Sequence, residues 1–235
     1  MKKNVIITGA SGNLGRAAVE RFVKDGYFVI VSILPGNPSD LDKNDNIATY
    51  PVDLSDEKTV NDFVDTVAKR HGPIDVALLL VGGFAAGGLA TTDGAQIKKM
   101  IALNFETAYY CARPIFLQMT KQSGGGRIVL VGSKPALEPN TGKNVLAYSL
   151  SKSMLFTLAE ILNAEGQEKN IVTSVIVPST IDTKENRLQM PKADVSLWVK
   201  PDEIAEVLAF VTSERAHAVT NPVIRIYGNR PAKAG

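Results

Sequence analysis

Tyr148-Ser149-Leu150-Ser151-Lys152 is the stretch of this chain best suited to chemistry. It opens an apolar-periodic run, Val145 to Leu162, with the 3.6-residue spacing of a half-buried helix. A Tyr and a Lys four residues apart on a helix share one face, a turn apart. A phenol has a free pKa of about 10, and an ammonium within about 4–6 Å stabilises the phenolate and lowers that value. The spacing therefore predicts a proton-transfer device working near pH 7. Tyr-x-x-x-Lys also arises by chance on the order of once in every few chains of ordinary composition, so its meaning depends on what the chain places around it.

Composition narrows the classes. A chain of 235 residues with 45% hydrophobic and 21% charged residues suits one α/β domain of the larger kind. A net charge of +2, with both signs scattered, gives no argument for nucleic acid or an anionic membrane as partner. The single cysteine, Cys111, excludes an intramolecular disulfide and lies in an apolar helical pattern, as a buried structural thiol does. His71 and His217 stand far apart, and no metal-site spacing is present. The apolar run after Met1-Lys2-Lys3 is broken by Thr8-Gly9 too early for a signal peptide, and no stretch approaches the roughly 18 apolar residues of a membrane span. A cytoplasmic location is expected.

The elements that must position the Tyr-Lys pair alternate strand and helix. Asn4 to Ile7 reads as a buried parallel strand. Thr8-Gly9-Ala10-Ser11-Gly12-Asn13-Leu14-Gly15 follows, then an amphipathic helix to Asp25. Strand, Gly-rich turn and helix set backbone N–H groups and a helix N-terminus against a diphosphate. Gly9 would make the turn, Gly12 admit the phosphates and Gly15 allow close packing of helix on strand, with Ser11, Asn13 and Leu14 lining the site.

The second strand, Tyr27 to Leu34, ends in Ser32-Ile33-Leu34-Pro35-Gly36-Asn37. An acid here would bind a free ribose 2′-OH and a base a 2′-phosphate. Neither is present, and Asp40, Asp42 and Lys43 beyond read as a solvated loop. A third strand, Ile47 to Val52, ends in Asp53-Leu54. Because Ser55-Asp56 caps the next helix, Asp53 is left for ligand. A fourth, Ile74 to Val81, ends in Gly82-Gly83-Phe84-Ala85-Ala86-Gly87-Gly88, fit either for close approach to a flat ligand or for a flexible loop.

One long helix is predicted over 96–122, kinked or divided by Pro114, with Asn104 as a polar anomaly in its interior. A fifth strand, Arg127 to Val131, ends in Gly132-Ser133, and a loop, 134–144, leads to the Tyr-Lys helix. A sixth strand, Ile171 to Val177, is left by Pro178-Ser179-Thr180-Ile181-Asp182-Thr183. The polar segment 184–200 then reads as a mobile substrate flap. A helix from Pro201 and a seventh strand, Asn221 to Tyr227, complete the pattern. The expected fold is α/β: a single doubly wound Rossmann domain over 1–235, with a seven-stranded, mostly parallel sheet and helices on both faces.

With Ser133 closing a strand and Tyr148 and Lys152 opening the next helix, the chemistry expected is hydride transfer to or from a carbonyl beside a nicotinamide. Tyr148 would give the proton, Ser133 hold the carbonyl oxygen, Lys152 lower the Tyr pKa and bind the ribose, and Asn104 hold a relay water. The Gly-rich turn, Asp53-Leu54, the Gly82-Gly83 strand end, Asn104, Ser133, Tyr148 with Lys152, and Thr183 after Pro178 together resemble the short-chain dehydrogenase/reductase family. The resemblance covers nearly the whole chain. It implies a catalytic set of Tyr148, Lys152, Ser133 and Asn104 and an NAD(P)H site that also takes in Leu34, Pro178, Thr180 and Thr183. It also implies a homodimer or homotetramer formed through the two long helices.

The glycines are spaced TGxxGxxG rather than the TGxxxGxG of the main subgroup. Leu79-Leu80-Val81-Gly82 and Pro178-Ser179 depart from that subgroup as well, and all three departures resemble its dihydropteridine reductase branch. So do Val81 to Gly88, Ser133 to Leu137 and Met190 to Trp198, although that branch carries an Asp at the position of Leu34 and lacks the Ser and Asn. A carbonyl or quinonoid small molecule is the expected substrate, with a non-catalytic dinucleotide-binding sensor or scaffold as the competing class. NADPH is slightly favoured over NADH, because Leu34 presents no carboxylate to repel a 2′-phosphate.

Overall fold

A computed structural model describes residues 2–36, 41 and 44–228. Asn37, Asp40, Asp42 and Lys43 of the expected solvated loop lie outside the described residues. Seven strands, β1 (Asn4–Thr8), β2 (Phe28–Ile33), β3 (Ile47–Pro51), β4 (Val76–Leu79), β5 (Gly126–Val131), β6 (Ile171–Pro178) and β7 (Val223–Ile226), form one sheet in the order β3-β2-β1-β4-β5-β6-β7. Every pairing among the described residues is parallel, so the sheet goes beyond the mostly parallel arrangement expected.

The strands read as unbroken apolar runs because both faces are covered. Val5, Ile7, Val29, Val31, Val76 and Leu78 enter a core with α1 (Asn13–Lys24) and α8 (Pro201–Val211). Ile6, Ile30, Ala77, Leu79, Ile128 and Leu130 enter the opposite core with α2 (Glu57–His71), α4 (Thr107–Met119) and α6 (Leu146–Gly166). The chain winds outward from β1 to β3, then crosses back to place β4 on the other side of β1. The order reverses between β1 and β4, and the crevice beyond their carboxyl ends is where such sheets take ligands.

The helix predicted over 96–122 is one helical run in three parts: α3 (Gly94–Ile101), a π-turn at Ala102–Glu106, and α4. The irregularity lies at the π-turn that carries Asn104, while Pro114 sits buried inside α4. A π-turn inserts an extra residue into the winding, which propensity alone does not signal. The segment expected as a loop after Ser133 holds a short helix, α5 (Lys134–Leu137), and a 3₁₀ turn at Pro139–Thr141. The polar segment 184–200 contains α7 (Lys184–Gln189) and a 3₁₀ turn at Val195–Leu197, and it is tied at its base by a parallel bridge between Ile181 and Val199.

Among the described residues no helix is long and apolar enough to cross a membrane, and no cluster of His, Cys, Asp and Glu is arranged to hold a metal. Cys111 is buried in the α4 core, where desolvation pushes its thiol up to about 12.

Candidate active site

The side chains singled out around Tyr148 converge on the carboxyl ends of β4 and β5. Lys152, on the second turn of α6, is 4% exposed, and its ammonium donates to the Val131 carbonyl at the end of β5 (2.8 Å). Burial pulls its pKa down to about 8. A Cβ added to Gly82 would stand 2.8 Å from Lys152 Nζ and 2.7 Å from Asn104 Oδ1, so the residue just past β4 must be glycine for the cation to lie there.

Asn104 is fully buried, and every polar atom of its amide is used. Oδ1 accepts from Gly83 N–H (2.8 Å), while Nδ2 donates to the Gly83 carbonyl (3.1 Å) and to Ser151 Oγ (3.0 Å). The anomaly of a mid-helix Asn thus has a physical answer. The π-turn carries an amide that pairs with a backbone unit beyond β4 as a neighbouring strand would.

Ser133 is buried in extended backbone, accepts from Ala136 N–H (3.4 Å) as the cap of α5, and lies beside the Tyr148 phenol. Tyr148 is half-buried, and the Phe84 ring meets it edge-on with centroids 5.2 Å apart. The expectation that Lys152 lowers the Tyr148 pKa is corrected here. Burial raises the phenol's pKa, and the group that pulls against burial is the Ser133 hydroxyl.

The glycine-rich end is built for close approach. Gly9 adopts φ +69°, and a Cβ there would press on Val81 at 3.2 Å. A Cβ on Gly15 would run into the Gly9 carbonyl oxygen. Whereas α2, α3 and α7 are capped by Asp56, Asp93 and Thr183, α1 starts at Gly12 without a side-chain cap. The N–H groups of Asn13, Leu14 and Gly15 point out of its first turn, as helix geometry requires. Ser11 is exposed beside them, Leu14 is half-buried against the core, and Asn13 Nδ2 donates to Glu185 of α7 (3.0 Å).

Leu34, just past β2, is 56% exposed. Asp53 is less available than expected: its Oδ1 accepts from both the backbone and the hydroxyl of Ser55 (2.9 and 2.6 Å), which lowers its pKa. Leu54 is buried in the α2 core. Pro178 ends β6, Thr180 offers its carbonyl to Val199 N–H (2.9 Å), and the Thr183 hydroxyl caps α7 through Asn186 N–H (3.1 Å). The structure therefore joins Tyr148, Lys152, Ser133, Asn104, Gly82 and Gly83 in one cluster next to the Gly9–Gly15 turn, and keeps Leu54 out of it.

Three features escape sequence reasoning. Ser151, inside the starting motif, bonds Asn104. Gly87, at φ +148°, forms a parallel bridge with Val145, and its carbonyl accepts from Leu146 N–H (2.8 Å), so the glycine-rich loop anchors the start of α6. Glu185 meets Asn13 across the mouth. The glycines at 87 and 88 were the one available signal of close backbone approach, and the partner is the chain itself.

Comparison with known proteins agrees with this architecture. The family model described as short chain dehydrogenase matches residues 3–193. The uncharacterized oxidoreductase YuxG of Bacillus subtilis is 29% identical over 269 residues, covering 98% of this chain, which spans 38% of that protein's length. The dihydropteridine reductase of Dictyostelium discoideum is 28% identical over 212 residues, 88% of this chain and 87% of that protein. The solved structure of ElxO with NADP bound superposes with a TM-score of 0.86 at 23% identity, over 96% of this chain and 97% of that one, and shares the fold.

Lys152 gives the cluster a measurable signature. Its folded pKa, near 8, lies below the unfolded value of 10.5. Below pH 8 both states hold the proton and the cost of burying the cation is present in full. Between pH 8 and 10.5 the folded state releases the proton first, so wild-type stability rises. In chemical denaturation, Lys152→Met should be more stable than wild type by on the order of 3 kcal/mol at pH 7. The gap should close toward pH 10.5, and a gap independent of pH would contradict a buried ammonium.

Proposed function

The chain belongs to the short chain dehydrogenase family of oxidoreductases, and from that premise we propose that it is an NAD(P)H-dependent reductase of a small carbonyl or quinonoid substrate, with Tyr148 as the proton donor. The observation that carries this reading is a Tyr148 phenol kept in its acid form by burial, with the Ser133 hydroxyl beside it, on the same helix face as the Lys152 ammonium. A phenol with a raised pKa carries its proton at neutral pH, the form that donation to an oxygen gaining negative charge requires.

The residues present fit a dinucleotide. The uncapped N-terminus of α1 and the Gly9–Gly15 turn, closed to any side chain at Gly15, would hold a diphosphate. A bound reduced nicotinamide supplies the hydride. The Ser133 hydroxyl orients the substrate oxygen, and Tyr148 passes its proton to the developing alkoxide. Lys152, with a pKa near the working pH, binds ribose and restores the Tyr148 proton, while Asn104 holds Gly83 and thereby the floor beneath the ring. Leu34, without a carboxylate, supports tolerance of a 2′-phosphate, and the 184–200 segment, touching the glycine turn through Glu185 and Asn13, supports a closing role for that flap.

One observation favours a narrower substrate. Phe84, 61% exposed and edge-on to Tyr148, is an apolar wall beside the proton donor. Together with the similarity to the Dictyostelium reductase, it supports a flat conjugated substrate such as a quinonoid dihydropterin. Residues 1–235 act as one dinucleotide-binding domain in this reading. Leu150, Met154 and Ile161 on α6, with Tyr109 and Leu117 on α4, expose apolar side chains at helical spacing, which fits a face covered by a second copy.

Each part has a direct check. Tyr148→Phe should cost at least about 10²-fold in kcat while NADPH binding, followed by its fluorescence, stays within about twofold; turnover at the wild-type rate would refute Tyr148 as the donor. Kd for NADPH should equal or fall below that for NADH, and a strong preference for NADH would overturn the reading of Leu34. Ile161→Arg should shift the mass seen by light scattering from dimer or tetramer to monomer, whereas a wild-type protein that is already monomeric would remove the role given to that face.

A further inference from the structure

We propose that Ser151 is a positioning residue that acts through Asn104, holding the Asn104 amide in the one orientation that turns Oδ1 toward the Lys152 ammonium. The inference deepens, and rests on, the reading of this cluster as a reductase site.

Ser151 is fully buried between Tyr148 and Lys152 on α6. A serine hydroxyl has one proton. Ser151 commits it to the Tyr148 carbonyl one turn earlier (2.9 Å), so toward Asn104 its Oγ can only accept. The group facing it must then be the amide NH₂. Nδ2 gives one proton to Ser151 Oγ and the other to the Gly83 carbonyl, and Oδ1 is left to receive Gly83 N–H. The same Oδ1 has a second lone pair. It lies 2.7 Å from the position that a Gly82 Cβ would take, and Lys152 Nζ lies 2.8 Å from that position. The amide oxygen and the ammonium therefore border the same small space beside Gly82.

A flipped amide would set Oδ1 against an oxygen whose proton is already committed and Nδ2 against the Gly83 N–H, two donors facing each other. Ser151 and Gly83 exclude that flip from opposite sides. With the Ser151 hydroxyl removed, the acceptor still near Nδ2 besides Gly83 is Met100 Sδ, on the preceding turn of Asn104's own helical run (3.8 Å). The amide would turn toward it and away from α6.

The groups around Lys152 make this testable by titration. From α6 the titratable neighbour is Tyr148; from β5 come the Val131 carbonyl and Ser133; from the π-turn comes Asn104. Among the described residues no carboxylate or second cation perturbs Lys152. An acceptor facing the ammonium favours its charged form, so losing that acceptor lowers its pKa further.

The deciding experiment needs no turnover. Denaturation of Ser151→Ala and of Ser151→Ala/Lys152→Met from pH 6 to 10 isolates the proton-linked stability of Lys152 in the variant, as the wild-type and Lys152→Met pair does in the parent. The lower edge of that window should fall by about one pH unit. Ser151→Cys, similar in volume with a weak sulfur acceptor, should move it the same way, so a folding defect of the alanine variant does not decide the outcome. With 9,10-phenanthrenequinone and NADPH, kcat of Ser151→Ala should drop about tenfold, short of the 10²–10⁴ attributed to general acid–base catalysis itself, with Kd for NADPH within twofold. Adding Asn104→Ala should move the titration window of Lys152 no further, because the Ser151 effect runs through the Asn104 amide. A lowered melting temperature with an unmoved window, or a further shift of the window in the Asn104 double variant, would overturn the proposal. If Tyr148→Phe proves fully active, the reductase reading fails on its own account, and the titration window still decides the role of Ser151.

Discussion

A lysine ammonium lies under the carboxyl edge of the sheet with no carboxylate among the described residues perturbing it, and the surrounding structure is shaped by that burial. Removing such a cation from water is costly unless polar groups replace its hydration. Here the one hydrogen-bonded replacement is neutral, the Val131 carbonyl at the end of β5, with the Asn104 amide oxygen bordering the space that Gly82 leaves open. A paired Asp or Glu would hold Lys152 more cheaply, but it would also hold its proton more firmly. With backbone and amide oxygens alone, burial brings the pKa to about 8. A lysine in that range exchanges protons at physiological pH, whereas an exposed one does not. The absence of side chains at Gly82 and Gly83 is thus electrostatic in consequence as well as steric.

The doubly wound topology is what lets three separate elements meet around this cation. β4 and β5 are neighbours in the sheet, and their carboxyl ends deliver Gly82, Gly83, Val131 and Ser133 side by side. α6 returns across the same face and brings Tyr148, Ser151 and Lys152 on successive positions of one helical face. Two local devices fix the approach. The π-turn at Ala102–Glu106 carries the Asn104 amide to the backbone of Gly83, and the bridge from Gly87 to Val145 ties the loop after β4 to the first turn of α6. Without either device, the strand ends and the helix would be related by the Lys152–Val131 hydrogen bond and by packing of apolar side chains, which fixes distances less tightly than hydrogen bonds between backbone groups.

The sheet was legible because its causes are local and repetitive. Runs such as Val5-Ile6-Ile7 and Val76-Ala77-Leu78-Leu79 are apolar at every position, which only a strand covered on both faces tolerates. Tyr148, Lys152, Ser133 and the Gly9–Gly15 turn were legible because each falls at an element boundary that the periodicity marks. Asn104 was visible as an anomaly but not as a clamp, since a π-turn leaves no signature in hydrophobic spacing. Ser151 was hidden by its ordinariness: a serine inside a helix usually bonds the turn before it, and this one does. Only the second partner, 47 residues away in sequence, distinguishes it. Asp53 has a neighbour that its strand-end position did not signal. Its place at a strand end suggested a free carboxylate, but a serine two residues on, in Asx-turn geometry, competes for the same oxygen.

The two shifted pKa values share one physical cause. The same burial that pulls Lys152 down raises Tyr148, because desolvation disfavours whichever form carries charge. An ammonium strong enough to pull the phenol into its anionic form would make the pair a base suited to oxidising alcohols. Instead the phenol stays neutral, steadied by Ser133, and the lysine is the group closer to titration. At neutral pH the tyrosine therefore keeps its proton, while the lysine holds its own lightly. Burial, and not the lysine charge, governs the tyrosine, which the Tyr-x-x-x-Lys spacing alone did not reveal.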